Sequence, residues 1–328
     1  IGGIVKLARR IIAGTCIFEV TGAVLLSIRF VPKYGFFRGV FYGFFHAVSA
    51  FCNAGFDLMG NEAPYNSLVG YYDDWLVNLV IMSLIIIGGL GFIVWDDLYR
   101  NKFHFRKYLL QTKLVLIALF VLVFGGAGLF WVLERQNLMV GMSASGQILT
   151  SLFASVTART AGFNTVDPAA MTDGSKLLTL ILMFIGGNPG STAGGVKTTS
   201  VIALFLYVRS NIDRSYGINA FGRRLEEDAV KRAGAICTIN LTAALAASIL
   251  IMAIQPVGMA DVLFETFSAI GTVGMTTGIT RSLLPASRIV IILLMYCGRI
   301  GSMSFALAFT QQKRITHVQN PVETVSIG

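Results

Sequence analysis

A pattern of nine residues occurs three times in this chain, and this repetition constrains the fold more than any other feature of the sequence. The copies lie at 48–56, 155–163 and 267–275. Aligned on a shared glycine, they end Asn-Ala-Gly-Phe, Thr-Ala-Gly-Phe and Thr-Val-Gly-Met. These glycines are 107 and then 112 residues apart, at Gly55, Gly162 and Gly274. Self-similarity at a near-constant period identifies the structural unit of a chain, so three related units are predicted.

Each copy lies between two long apolar runs. The unit is therefore predicted to be a helix, a short half-helix with a loop of small residues, and a second helix. This is the layout of an ion-channel pore loop, in which backbone carbonyls replace the hydration shell of an ion. Small residues let such a loop run extended, and glycine reaches backbone angles that other residues resist. The loop residues predicted to present these carbonyls are Asn53, Ala54, Gly55, Thr160, Ala161, Gly162, Thr272, Val273 and Gly274.

The composition indicates where these units lie. Apolar residues make up 55% of the chain and charged residues only 13%, whereas a soluble domain carries about 25% charged residues. The charges cluster between apolar runs of about 20 residues, which is the length that crosses a bilayer. The sequence predicts an all-α polytopic membrane protein in a lipid bilayer. The net charge of +9 does not indicate nucleic-acid binding, since basic residues flank membrane helices on the cytoplasmic side.

The apolar runs fall into two length classes. The long ones are predicted to span the membrane, at about 11–31, 75–95, 114–133, 235–254 and 289–309. The short ones are predicted to re-enter it, since about 10–14 apolar residues cannot cross: 38–51, 147–158 and 261–270. When each unit crosses twice, every basic linker falls on one side, which the positive-inside rule makes cytoplasmic, together with the C-terminus. The predicted units are 1–105, 106–225 and 226–328, the last with a cytoplasmic tail.

The inner helix of the second of these units departs from the plan. Its apolar run, 176–207, is too long for a single crossing at about 1.5 Å per residue, and glycine and proline crowd its middle at 186–195. Such a stretch cannot hold a helix. Non-helical backbone at membrane depth is tolerated only where it is buried in protein or lines a water-filled cavity. We therefore predict a broken helix that lines the pore below the loops.

Catalytic constellations are absent from the sequence. It contains no carboxylate pair, Ser-His-Asp set or Cys/His cluster, and the histidines are scattered: His46, His104 and His317. This argues against an enzyme. Two other classes stay open, a Na⁺-selective or poorly selective cation channel of the same architecture and a non-conducting membrane receptor or scaffold. Three loops leave one sector of a pseudo-fourfold pore open, so a first repeat is expected upstream of Ile1.

Four motifs in order resemble the Trk/Ktr/HKT superfamily of potassium transporters, most closely the membrane subunit of bacterial Ktr systems. The resemblance covers essentially all 328 residues. The motifs lie at 49–56, 157–165, 187–198 and 298–302. The resemblance implies four covalently linked repeats around one pore, of which this chain holds the second to fourth. It further implies that the nine loop residues named above form a K⁺ selectivity filter.

The resemblance also implies a gate below the filter. The gating loop it implies comprises Gly187, Asn188, Pro189, Gly190, Ser191, Thr192, Ala193, Gly194 and Gly195. Arg299 is implied to face the pore there as an electrostatic barrier, with a snorkelling or carbonyl-bonded arginine as the alternative reading. K⁺ is the implied cargo, with Na⁺ as an activator in some relatives. The implied partners are a second copy of the chain and a cytosolic nucleotide-binding ring of RCK type, in the bacterial plasma membrane.

Overall fold

A computed structural model describes residues 2–61, 66–102, 104–213 and 216–301. The fold is mostly helical. Its helices are α1 Gly2–Tyr34, α2 Phe36–Phe51, α3 Trp75–Gly89, α4 Phe92–Asn101, α5 Leu110–Phe120, α6 Gly126–Glu134, α7 Ala144–Thr157, α8 Asp173–Phe184, α9 Thr198–Ile212, α10 Glu227–Ile254, α11 Met259–Ile270 and α12 Pro285–Ile300. The end of the last predicted span and the predicted cytoplasmic tail, 302–328, lie outside the described residues.

Long helices surround short ones. The short helices α2, α7 and α11 are the segments predicted to re-enter the membrane, and large side chains on them are fully buried: Phe51, Phe153 and Phe264. The long helices α1 and α10 expose apolar side chains such as Ile17, Val24 and Ile249. An apolar surface of this kind suits contact with lipid rather than water. The chain therefore places its short half-helices in the interior and its spanning helices on the outside.

The membrane-crossing capacity of the helices can be judged from length and composition. Three uninterrupted stretches among the described residues are long and apolar enough to cross: Val5–Tyr34, Leu110–Glu134 and Glu227–Ile254. The second of them joins α5 to α6 through a π-helical turn, Val121–Gly125. A bent helix pair raises the number of candidate spans to four. These stretches include the outer helices predicted for the three units.

The predicted continuous span at 75–95 is wrong. The helix α3 ends at Gly89, α4 begins at Phe92, and the two helices are bent by 97°. Gly91 has φ 93°, a left-handed conformation that glycine adopts without steric cost. Phe92 N donates to Gly190 O at 2.8 Å, so a distant segment takes up the backbone donor at the break. The glycines around the break also allow close backbone contacts, since a Cβ on Gly88 would lie 2.0 Å from Phe51 O and one on Gly91 would lie 2.6 Å from Pro189 O.

A small sheet departs from the predicted all-α fold. The strands β1 Asn219–Ala220 and β2 Arg223–Arg224 pair antiparallel in the basic linker that precedes α10. Positive φ at Phe221 (52°) and Gly222 (71°) makes the two-residue turn between them, as hairpins with a right-handed twist require. The hairpin lies in a linker and leaves the helical arrangement of the rest of the chain unchanged.

Candidate functional site

The three glycine-containing stretches form loops with one backbone geometry. We name them loop A (53–56), loop B (160–163) and loop C (272–275). In each loop the backbone is left-handed at the glycine and again two residues earlier, with φ values of 70° and 51° in loop A, 96° and 73° in loop B, and 90° and 53° in loop C. A left-handed threonine is an outlier for a β-branched residue, and such strain clusters at functional sites. The residue between the two left-handed positions of each loop has negative φ. Because the sign of φ alternates along the loop, successive backbone carbonyls can point toward the same side.

A hydroxyl group braces each loop at the residue that follows its glycine. Ser49 Oγ donates to Phe56 O at 2.7 Å, and Ser268 Oγ donates to Met275 O at 2.6 Å. In loop B the donor is one residue later, with Thr157 Oγ1 bonded to Phe163 O at 2.5 Å. These donors belong to the last turns of α2, α11 and α7. The carbonyl after each glycine is thus directed back at the short helix, and the preceding carbonyls are left to face elsewhere.

The loops abut one another through backbone atoms. A Cβ built on Gly55 would lie 2.2 Å from Ala161 O, and one on Gly162 would lie 2.3 Å from Val273 O. A Cβ on Gly274 meets no atom of the described residues within 4 Å. Loop A therefore contacts loop B, and loop B contacts loop C. At Gly55 and Gly162 no side chain fits unless a neighbouring carbonyl moves.

One side-chain oxygen in each loop lacks a hydrogen-bond partner among the described residues. These oxygens lie at the equivalent position two residues before each glycine: Asn53 Oδ1, Thr160 Oγ1 and Thr272 Oγ1. Asn53 and Thr160 are buried and Thr272 is half-buried. An unsatisfied buried oxygen is costly and calls for an explanation. Three of them at matching positions form a set that can serve as ligands for a cation, together with the loop carbonyls.

The residue nine positions before each loop glycine lies in the preceding short helix, and its side chain differs in the three copies: an imidazole, a phenyl ring and a carboxylate. His46 in α2 accepts a hydrogen bond at Nε2 from Leu58 N at 3.4 Å. Phe153 in α7 is fully buried and provides only packing. Glu265 in α11 accepts from the Thr276 hydroxyl and, at 2.8 Å, from Thr280 Oγ1. The equivalent position thus binds the chain just after loop A and just after loop C through different polar groups.

The predicted interruption of the inner helix is present. The helix α8 ends at Phe184, α9 begins at Thr198, and 185–197, which we name the interrupted segment, is not helical. Gly186 N donates to Val196 O at 2.9 Å, and Thr198 N donates to Gly187 O at 3.0 Å. Thr198 Oγ1 also bonds Gly186 O at 2.7 Å. The two ends of the segment are therefore tied together, and the residues between them form a closed loop.

The interrupted segment packs directly against all three glycine loops. A Cβ on Gly186 would lie 3.3 Å from Thr160 Cγ2, and one on Gly194 would lie 2.0 Å from Thr272 Oγ1. The contact with loop A runs through Thr192, whose Oγ1 donates to Phe51 O at 3.0 Å. The same oxygen accepts from Asn53 Nδ2 at 2.8 Å. The sequence predicted this segment below the loops, and the structure brings the two together.

Arg299 in α12 reaches the same segment. Its Nη1 donates to Thr192 O at 3.0 Å, so this is the carbonyl-bonded arginine of the alternative reading. The carbonyl belongs to the very segment for which a gating role was predicted, and the two readings are therefore compatible. Lys197 also bonds within this segment, with Nζ 2.7 Å from Ala193 O. Of the residues that sequence reasoning proposed for the site, all lie in the three loops, in this segment or bonded to it.

Sequence reasoning missed the residues that support the loops. The bracing hydroxyls of Ser49, Thr157 and Ser268 lie inside the aligned copies, and the serine six residues before the glycine in the first and third copies was a usable signal, whereas the donor of loop B is shifted by one residue. Glu265 and Arg159 were missed for another reason, since only one copy carries each of them. Alignment of the three copies reveals the residues that they share, but it does not single out a residue that only one copy contains.

The family model described as "TrkH: Cation transport protein" matches residues 1–317. The chain belongs to this family. It is 37% identical to the potassium/sodium uptake protein NtpJ of Enterococcus hirae over 333 residues, which covers 99% of this chain and 72% of the relative. It is 36% identical to the Ktr system potassium uptake protein B of Bacillus subtilis, over 99% of this chain and 72% of that protein. The resemblance stated from the four motifs is confirmed.

The solved structure of the potassium transporter TrkH from Vibrio parahaemolyticus has the same fold. It superposes with a TM-score of 0.77 at 18% sequence identity, over 94% of this chain and 66% of that one. The chain thus spans about two thirds of that structure. With the family shown and the apolar helices described above, the chain is an integral membrane protein and an ion transporter rather than an enzyme.

Proposed function

We propose that this TrkH-family chain forms three quarters of a potassium uptake pore, with loops A, B and C as its selectivity filter. The observation that carries the proposal is the geometry that the three loops share: alternating left-handed backbone, a braced carbonyl after each glycine, and backbone contact from one loop to the next. A dehydrated K⁺ needs several oxygens at near-equal distance, and backbone carbonyls supply them. The names of the relatives, which include potassium uptake proteins, favour K⁺ as the cargo.

The filter chemistry would use two kinds of oxygen. Carbonyls of the residues before and at each glycine would coordinate the ion, because the hydroxyl brace holds the next carbonyl away from it. The orphan oxygens of Asn53, Thr160 and Thr272 would add ligands at the lower end. Neither set includes a carboxylate, so an ion would meet dipoles rather than fixed charge. Weak, multiple ligands allow entry and release, as conduction requires.

We propose a pseudo-fourfold arrangement in which a repeat N-terminal to this chain supplies the fourth loop. The direction of contact supports it, since loop A meets loop B and loop B meets loop C through the same glycine position. The units 1–105, 106–225 and 226–328 would then be the second to fourth repeats. A fourth loop placed between C and A by the same rule would close a ring.

The interrupted segment would gate this pore. It lies against all three loops, and its glycines and proline give it a backbone that no helix constrains. Arg299 would hold it in place and would place a positive charge on the cation path. Its contacts with the loops are hydrogen bonds and van der Waals contacts. The segment could therefore move away from the loops without unwinding a helix.

The test is K⁺ uptake by the full-length protein in cells that lack K⁺ uptake. We expect Gly162→Ser to reduce uptake at least tenfold, because the new side chain would displace Val273 O, and we expect deletion of 187–195 to raise uptake and relax its regulation. Gly128→Ala, in α6 with no atom within 4 Å of the new Cβ, is the matched glycine control. Normal uptake by well-inserted Gly162→Ser protein would remove the filter assignment, and lost uptake on deletion would remove the gate.

A second candidate is a pore that also passes Na⁺, or prefers it. The observation that favours it is the name of one relative, a potassium/sodium uptake protein. Competition of K⁺, Na⁺ and Rb⁺ for uptake separates the two candidates. Na⁺ that activates K⁺ uptake without competing with it would instead support a role as activator.

We further propose the partners and orientation that the resemblance implies. The protein would form a homodimer in the bacterial plasma membrane, with its C-terminus in the cytoplasm. A cytosolic nucleotide-binding ring of RCK type would dock on the basic linkers. The linker hairpin supports a docking role, because it exposes Arg223, Arg224 and Phe221 on a defined turn. Copurification of the ring with the wild-type protein and its loss on replacement of both arginines would test this surface.

A further inference from the structure

A cavity of about 10 Å³ lies between Arg159, which immediately precedes loop B, and the interrupted segment. This volume is close to the smallest that holds one water molecule. Residues of α3, α5 and α7 line it with apolar atoms, among them Ile85, Leu119 and Val156. Its polar lining comes from Arg159, just before loop B, and from Asn188 in the interrupted segment. The cavity is therefore small, enclosed by three helices, and polar on two facing elements.

Arg159 brings an unpaired cation to this cavity. The side chain is only 8% exposed, and its Nε has no hydrogen-bond partner among the described residues. No carboxylate of the described part of the chain forms an ion pair with it. The corresponding positions of the other two copies hold Cys52 and Gly271. A buried guanidinium without partners is costly, so its N–H groups need an acceptor.

Asn188 brings an unpaired acceptor to the same cavity. The residue is 1% exposed. Its backbone N and its Nδ2 both donate to Gly89 O, at 3.2 and 2.8 Å, which fixes the amide at the end of α3. Its Oδ1 has no hydrogen-bond partner among the described residues. The two residues that carry this buried donor and this buried acceptor, each without a partner among the described residues, thus line one cavity whose volume is close to that of one water.

We propose that Arg159 and Asn188 share one bound water molecule, which accepts from Arg159 Nε–H and donates to Asn188 Oδ1. The water would connect loop B to the interrupted segment and to the end of α3, where the chain bends by 97°. The guanidinium would also lie near the negative end of the α3 dipole, where a cation is favoured. The pair acts as a latch that holds the interrupted segment against the loops. Its effect on transport rests on the proposed function, whereas the latch itself does not.

The test is a double-mutant cycle on the full-length protein in lipid nanodiscs, read out by hydrogen exchange of the amides in 186–198. Arg159→Gln and Asn188→Ala should each speed exchange by roughly threefold or more, and the double variant should exchange no faster than Asn188→Ala alone. Asn188→Ala also loses the bond from Nδ2 to Gly89 O, but it does so with or without Arg159, so this loss cancels from the interaction between the two substitutions. Asn188→Asp should exchange more slowly than Asn188→Ala, because both lose the bond from Nδ2 to Gly89 O and only the carboxylate can accept from the guanidinium.

Arg159→Lys separates the water from the charge alone. Lysine keeps the positive charge near α3 but has its N–H donors only at the end of the side chain and none at the position of Nε, so its exchange should match that of Arg159→Gln. Wild-type exchange in Arg159→Lys, or effects of the two single variants that multiply in the double variant, would overturn the proposal. If Arg159→Gln fails to fold, unchanged exchange in both Asn188→Ala and Asn188→Asp would overturn it as well. Exchange does not depend on transport, so a protein that shows the coupling but carries no K⁺ would refute only the proposed function.

Discussion

Arg299 donates a hydrogen bond from Nη1 to the carbonyl oxygen of Thr192 at 3.0 Å, across 107 residues of sequence. Thr192 is at the same time bonded through its hydroxyl to Phe51 O and to the amide of Asn53. One residue of the interrupted segment therefore holds together α12, the end of α2 and loop A. Loss of any of these bonds loosens a contact between the segment and the proposed filter.

Replacement of Arg299 by glutamine should raise K⁺ uptake. The variant loses a charge-assisted bond to Thr192 O, of a type worth about 1.5–3 kcal/mol when well shielded and less at this exposed position, so we expect a rise of roughly threefold to tenfold. The initial rate of uptake at saturating K⁺ is the measurement. Arg288→Gln, on the same helix but bonded to Leu283 O near the opposite end of α12, is the control. Unchanged or lower uptake in Arg299→Gln would show that the bond does not restrain the gate.

Gly194→Ala should disturb the contact between the interrupted segment and loop C. The new methyl carbon would lie 2.0 Å from Thr272 Oγ1, so the segment or the threonine must shift. We expect altered uptake and faster proteolysis at the segment. Thr272→Ala in the same protein removes the clashing oxygen, and the double variant should regain the protease resistance of the parent. A double variant as susceptible as Gly194→Ala would place the disturbance elsewhere.

Glu265→Gln should weaken K⁺ binding with little loss of folded protein. The carboxylate accepts from the hydroxyls of Thr276 and Thr280, and an amide offers only one acceptor oxygen to these donors. Loop C would lose part of its support, and the KM for K⁺ should rise about threefold to tenfold, since one lost bond of this kind is worth about 1 kcal/mol. Glu227→Gln, at the exposed start of α10, is the matched control. An unchanged KM would mean that packing alone holds loop C.

Ser268→Ala should lower the discrimination between K⁺ and Na⁺. The hydroxyl holds Met275 O at 2.6 Å, and the freed carbonyl could turn toward the ion path and change the number of ligands. The ratio of uptake rates for the two ions is the measurement. Ser248→Ala removes a buried hydroxyl that bonds Thr266 Oγ1 at 2.7 Å, away from the loops, and serves as the control for a lost buried hydrogen bond. Equal ratios in the two variants would argue against a role for the brace.

The parts of this fold that could be predicted from sequence are those determined by residues close together in the chain. Gly55, Gly162 and Gly274 recur at a fixed place between apolar runs, and glycine and proline at 186–195 exclude a helix, so the loops and the interruption follow without tertiary information. The bend at Gly91 could not be predicted in the same way. A glycine run permits either close packing or a break, and the choice depends on Gly190 O, which bonds Phe92 N from 98 residues away in the chain.

Apart from the bracing hydroxyls, the supporting contacts of the site escaped prediction because they are specific to one copy or depend on distant residues. Nothing near Thr192 in the sequence indicates that Arg299 binds its carbonyl. The cavity between Arg159 and Asn188 exists only because three helices meet there. Repetition identifies the backbone that the units share, whereas the side chains that distinguish one unit from another become interpretable only in three dimensions.

The three chemistries at the position behind the loops, His46, Phe153 and Glu265, have a consequence for how such a pore can change. In a channel assembled from identical subunits, one codon alters every sector at once, and the ion meets the sum of those effects. In the proposed pore each sector would be encoded separately, so a single substitution would change one side of the pore and leave the chemistry of the others as it is. If the proposed pore is correct, its selectivity can evolve one sector at a time, and the imidazole, phenyl and carboxylate groups would be three such differences between sectors of one molecule.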